Sequence, residues 1–302
     1  MLHITNGESC SLPQTGLPDE VIYWNDVLHD GPVPRGLELQ ELSRVRERFI
    51  SEFFGMPLSE VSFHRRDEAI SRFQDHDEVV LWFEHDLYDQ LQLIQILSWF
   101  AQQDLDRTRL SLICVNQYLG PMHPHQLTPL FDLRHEVTRL EFKTAQTAWD
   151  AFCSPEPTEL VALVESDTSA LPFLHDALVR HLEQFPALRN GLSRSERHIL
   201  QLTASGLSGF PELFPAAQKL EERIWMGDST FVQYIQRLTG VRHPILSTLD
   251  SRVALTDFGR EVHESRADHV RANGINRWLG GVHLCEGAPI WRWDEAARAI
   301  RP

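Results

Sequence analysis

An α/β fold is expected: an open, mostly parallel, Rossmann-like sheet at the N-terminus, a helical connector, then a winged-helix-like part with a terminal β-hairpin. Three observations predict it. Residues 1–142 contain four short runs that are apolar almost throughout, as strands buried on both faces of a parallel sheet are. Longer stretches with helical period separate the later runs. Residues 191–302 read instead as three helices, a hairpin and a helix, the order of a winged-helix module.

The elements follow in order. LHIT (2–5) and EVIYW (20–24) are the first two strands, and EVVLWFE (78–84) and LSLICVN (110–116) the third and fourth. Between the second and third, Leu39, Leu42, Val45, Phe49 and Phe53 recur at helical spacing, with Gly55 as the stop. LYDQLQLIQILSWFAQQ (87–103) is the helix between the third and fourth. Residues 143–190 keep apolar periodicity across Pro155 and Pro157, so they read as helical connector. After them, SRSERHIL opens with a serine cap and Glu196, a capping box. Pro211 and Pro215 stand near the start of a second helix, where proline is tolerated. GDSTFVQYIQRLTG is a third, capped by Asp228 or Ser229. Asp250-Ser251 is a two-residue turn between PILSTL and RVALT. At the end, GGVHL is expected to pair with PIWRW, followed by a short helix.

Composition narrows the class. Of 302 residues, 42% are hydrophobic and 24% charged, ordinary values for a soluble globular protein. No run approaches the roughly 20 apolar residues of a membrane span, so no membrane partner is expected. MLHITNGESC lacks a basic region followed by an apolar core, so no secretory signal is expected. Cys10, Cys114, Cys153 and Cys285 are scattered singly and read as free thiols in a reducing cytoplasm. Net charge is −15 and uneven. Residues 1–150 hold 12 Lys and Arg against 24 Asp and Glu, which repels nucleic acid. Residues 190–302 hold 14 against 13, a balance that leaves nucleic acid open for that part. Its third helix carries Gln233 and Gln236 but only one cation, Arg237, so packing or protein contact is the default there.

In an open parallel sheet, ligands bind beyond the carboxyl ends of the strands. Every such end here is polar. Asn6 and Ser9 follow the first strand, and Asp26, His29 and Asp30 the second. Glu84, His85, Asp86, Asp89 and Gln90 follow the third, and Asn116 the fourth. Asp86 and Asp89 are also explained by a helix start, where the dipole favours acids. Glu84 and His85 are not. HDxxD suits either a divalent metal or an acid–base pair, and the metal stays undecided. Gly7 stands alone, so neither GxGxxG nor a P-loop is present. His123 and His125 form an HxH that reads as an exposed loop.

HITNGES, EVIYWNDVLHDGPVP, VVLWFEHDLYDQLQLIQIL and NGINRWLGGVHL together resemble bacterial proteins of the domain-of-unknown-function 1835 group. The first three lie in roughly residues 1–130, the fourth in the part that accompanies that domain in longer members. The resemblance implies a bacterial cytoplasmic protein. It implies no reaction and carries over no catalytic residue.

Two functions fit. One is an enzyme or binder of a polar or phosphorylated small molecule, working by hydrolysis or group transfer. There His29, His85, Asp86 and Asp30 are catalytic, and Asn6, Ser9, Asp26, Glu84, Asp89, Gln90 and Asn116 bind the ligand. The other is a non-catalytic ligand sensor whose winged-helix-like part contacts DNA or a protein. Cofactor and oligomeric state are not fixed by the sequence.

Overall fold

The structure is a computed structural model and describes residues 1–17 and 19–302. The chain opens with β1 (Leu2–Thr5), β2 (Glu20–Tyr23), the two-residue β3 (Gly31–Pro32), α1 (Leu39–Phe54) and α2 (His64–Ser71). Then come β4 (Glu78–Phe83), α3 (Leu87–Phe100), β5 (Arg109–Cys114), α4 (Pro124–Leu127), β6 (His135–Glu136) and α5 (Arg139–Phe152). The main sheet has the order β2-β1-β4-β5-β6. Its first four strands are parallel, and β6 closes one edge antiparallel to β5.

The unbroken apolar runs have a direct cause. Successive side chains of a strand point to opposite faces, and both faces of β4 are covered. Val79, Leu81 and Phe83 enter the main core. Val80 and Trp82 enter a second, smaller core with Ile113, Leu119 and Leu127. α1 has the expected stop, with Gly55 at φ +65°. Two of its buried positions, Ser43 and Arg46, are polar. Apolar periodicity alone therefore misses part of its inward face.

The connector is helical as expected, with α6 (Pro157–Val164) and α7 (Leu174–Leu182). Residues of α5, α6 and α7 join the main core. There follow α8 (Arg194–Ala204), α9 (Phe210–Gln218), α10 (Asp228–Thr239), the hairpin β7 (Leu246–Leu249) and β8 (Arg252–Leu255), α11 (Asp257–His263) and α12 (His269–Asn273). The capping box at Ser193 and Glu196 is formed. Asp250 and Ser251 both have positive φ, the backbone of a tight two-residue hairpin turn. The N-cap of α10 is Gly227, with no side-chain cap, rather than Asp228 or Ser229. Residues between Leu192 and Val262 form a core of their own.

The C-terminus departs from expectation. Gly280 and Gly281 form the turn between β9 (Arg277–Gly280) and β10 (Val282–Leu284), which pair with each other. RWD pairs not with GGVHL but with AIR, as β11 (Arg292–Asp294) and β12 (Ala299–Arg301). The expected last helix is therefore a strand. β9 also pairs in parallel with β3, and Leu279, Leu284, Trp293 and Ile300 share the main core. The chain end thus returns to the α/β half.

Gly31 makes the β3 pairing feasible. Its φ is +83°, and a Cβ there would sit 2.5 Å from the Phe49 ring. Gly31→Ala is expected to lower stability by about 2 kcal/mol, read as a lower urea midpoint with unchanged slope.

Candidate functional site

The first strand lies between the second and the fourth, so the chain reverses its direction of travel across the sheet between β1 and β4. Such a switch point opens a crevice at the strand carboxyl ends. Asn6 and Glu84 stand at those two ends. Asp86 is the N-cap of α3, where its Oδ1 accepts from Tyr88 N at 2.9 Å and Asp89 N at 3.2 Å. Asp89, in the first turn, accepts from Glu84 N at 2.8 Å and from Asn6 Nδ2 at 2.7 Å. Glu84 accepts from Leu119 N, beyond β5, at 2.6 Å. Three strand ends thereby fix three carboxylates, and one oxygen of each lies within 4.8 Å of the others.

All three acids are buried. Burying a carboxylate is costly unless a cation compensates it. Elsewhere in the chain that rule is met. Asp26 pairs with Arg46, Asp30 with Arg237 and Arg277, and Asp67 with Arg66. Glu78 pairs with Arg109 and Arg134 and Glu196 with Arg277, while Glu141 is hydrogen-bonded to His135, to Thr138 N and to the Thr138 hydroxyl. Among the described residues, the buried acids with no basic partner are Glu84, Asp86 and Asp89. Burial raises Glu84 above the ordinary carboxylate range. Burial, then the Glu84 charge, raises Asp86 to about 7. Burial, then its two acidic neighbours, raises Asp89 well above the usual value.

These acids form one side of a cleft of about 560 Å³. Asn6, Ser9, His29, Tyr88 and Tyr118 also line it, as does the whole segment Ile224–Thr230. Arg223 fastens that segment by donating to His85 O at 3.0 Å, and Ile224 N donates to the Tyr118 hydroxyl at 2.6 Å. His29 is 1% exposed, and both of its ring nitrogens lack a partner. Its ring meets the Trp225 indole edge-on at 4.7 Å. Burial lowers His29 to about 3 and keeps it neutral. The Trp225 Nε1 is likewise buried and unpartnered.

The residues expected at this rim separate into two sets. Asn6, Ser9, His29, Glu84, Asp86 and Asp89 line the cleft. Asp26, Asp30, His85, Gln90 and Asn116 do not. Asp26 is held by the Arg46 guanidinium at 2.8 Å. Asp30 receives Arg237 and Arg277 from the C-terminal third, which excludes it from acid–base work. Its carboxyl is buried, which alone would raise it, yet the two guanidiniums hold it far below the carboxylate range. His85 turns into a neighbouring cavity of about 310 Å³ and rests against Tyr118 and Phe173. Gln90 lies beneath the site and donates to Glu84 O at 2.6 Å. Asn116 is exposed. His123 and His125 stack on each other, and neither lines the cleft.

Trp225 and the rest of that segment carry no local sequence signal of a site. Only the docking of the C-terminal third brings them there.

No helix among the described residues is long and apolar enough to cross a membrane. No protein-family model matches the chain. No curated protein matches it either.

Proposed function

We propose that the protein binds a polar, phosphate-bearing small molecule in this cleft and acts on it by hydrolysis or group transfer. The observation that carries the reading is the convergence of the three uncompensated buried carboxylates at the switch point of the sheet. One wall carries the three acids. The N-terminus of α10 lines the cleft as well, with Gly227 at the cap, Ser229 and Thr230 adding hydroxyls, and the Asp228 carboxylate accepting from Ser229 N and the Ser229 hydroxyl. Helix N-termini favour anions. His29 enters as a neutral hydrogen-bonding group that orients the ligand in the cleft.

The α8–α9–α10 and β7–β8 order is that of a winged helix, and we propose it as the wall of the cleft rather than a DNA reader. The single cation of α10, Arg237, is engaged by Asp30, which leaves that helix no free anchor for phosphate backbone. Membership of the domain-of-unknown-function 1835 group belongs to the same proposal: HITNGES and VVLWFEHDLYDQ supply Asn6, Ser9, Glu84, Asp86 and Asp89.

A thermal-shift panel of nucleotides and sugar phosphates, run with and without Mg²⁺, tests the reading. At least one compound is expected to raise the melting temperature of the wild type, with affinity reduced tenfold or more in His29→Ala. A panel without hits, or hits indifferent to His29, overturns it.

A further inference from the structure

We infer that Glu84, Asp86 and Asp89 form a binding site for one hard divalent cation, of the Mg²⁺, Mn²⁺ or Ca²⁺ class. The inference rests on reading the cleft as a ligand site, and it names the first occupant.

Three features point to it. The acids are buried and lack any basic partner among the described residues, while each of the other buried acids has one. A bound cation would supply the missing countercharge. The acids are also held in place rather than loosely gathered. Asp86 Oδ1 is fixed by two backbone N–H groups, Asp89 by Asn6 and Glu84 N, and Glu84 by Leu119 N. Asp86 Oδ2 has no protein donor among the described residues. Finally, the same cleft contains buried side chains with unmet hydrogen-bonding capacity, His29 through both ring nitrogens and Trp225 through Nε1.

The donor set selects the class. All three donors are carboxylate oxygens, and no Cys or His belongs to the cluster. Oxygen donors suit Mg²⁺, Mn²⁺ and Ca²⁺, whereas zinc and copper favour imidazole and thiolate. Oxygens bound trans to a Ca²⁺ ion, at about 2.4 Å each, stand about 4.8 Å apart. Those on Mg²⁺ stand about 4.2 Å apart. Three oxygens all within 4.8 Å of one another can close on one ion of this class with small side-chain movements. A cation there also reconciles the acidic wall with an anionic ligand, because it bridges the two.

The test is titration of the full chain with Mn²⁺ alone at pH 7.5, followed by electron paramagnetic resonance, with Mg²⁺ and Ca²⁺ as competitors. One saturable site is expected. Asp86→Asn and Asp89→Asn are each expected to weaken it at least tenfold, and Glu222→Gln, in the neighbouring cavity, to leave it unchanged. Asparagine keeps the N-cap acceptor at position 86, and melting curves in EDTA confirm that each variant is folded. No saturable uptake, or uptake indifferent to both substitutions, overturns the inference. The two readings fail separately. Phosphate compounds that bind equally well in EDTA sink the cation and spare the cleft. Mn²⁺ uptake without any compound hit does the reverse.

Discussion

Asp30→Ala is expected to cost about 3–5 kcal/mol of stability, the usual penalty for stranding buried charge. Asp30 is 1% exposed and accepts from Arg237 at 2.8 and 3.1 Å and from Arg277 at 3.3 Å. The Arg277 side chain is only 9% exposed, and without Asp30 it keeps the more distant Glu196 at 3.6 Å and the Tyr234 hydroxyl. Both arginines come from the C-terminal third, so the pair fastens it over the cleft. The loss should therefore appear twice: as a lower urea midpoint, and as faster proteolysis within the segment around Trp225. Asp30→Asn should be nearly as damaging, because an amide does not neutralise two guanidiniums. Asp30 binds its proton far more weakly folded than unfolded. Its contribution is thus complete above the ordinary carboxylate range and disappears as the solution is acidified below about pH 4. A variant as stable as the wild type at pH 7 would show that the pair is dispensable.

This ion pair also marks the limit of what the sequence reveals. Strands buried on both faces write continuous apolar runs, so the parallel sheet was legible, and with it the edge carrying Asn6, Ser9, Glu84, Asp86 and Asp89. Asp26 and Asp30 looked like members of the same rim because their chemistry is the same. Their partners are 20, 207 and 247 residues away in sequence, and no local pattern tells a paired acid from an unpaired one. His29 and His85 were equally plausible for the same reason. Only the path of the chain puts one in the cleft and the other beside it. The C-terminal strands were misread because Gly280-Gly281, placed inside a strand, is in fact the turn, and because β9 finds its second partner in β3.

Asp86→Asn is expected to be more stable than the wild type at pH 8 in EDTA, by about 1–3 kcal/mol. Asparagine still accepts from Tyr88 N and Asp89 N, so the helix cap survives. What disappears is a charge that burial and Glu84 oppose. A carboxyl raised from 3.8 to about 7 prefers its proton in the folded state. Its penalty is absent below about pH 4, grows as the pH rises toward 7, and is constant above that. The displacement corresponds to roughly 4 kcal/mol if Asp86 acted alone. Glu84 and Asp89 share it, which is why the expected gain is smaller. The wild type in EDTA should accordingly lose melting temperature between pH 5 and pH 8, and the variant should lose less. Toward pH 3.5 the two curves should converge, since Asp86 is then protonated in the folded chain and largely so in the unfolded one. Excess Mg²⁺ at pH 8 should reverse the order, because binding to the folded state stabilises it in proportion to occupancy and the variant has lost a ligand. A wild type whose stability is flat from pH 5 to pH 8, with Asp86→Asn below it throughout, would mean that Asp86 is an ordinary helix cap and that the three acids repel one another too weakly to define a site.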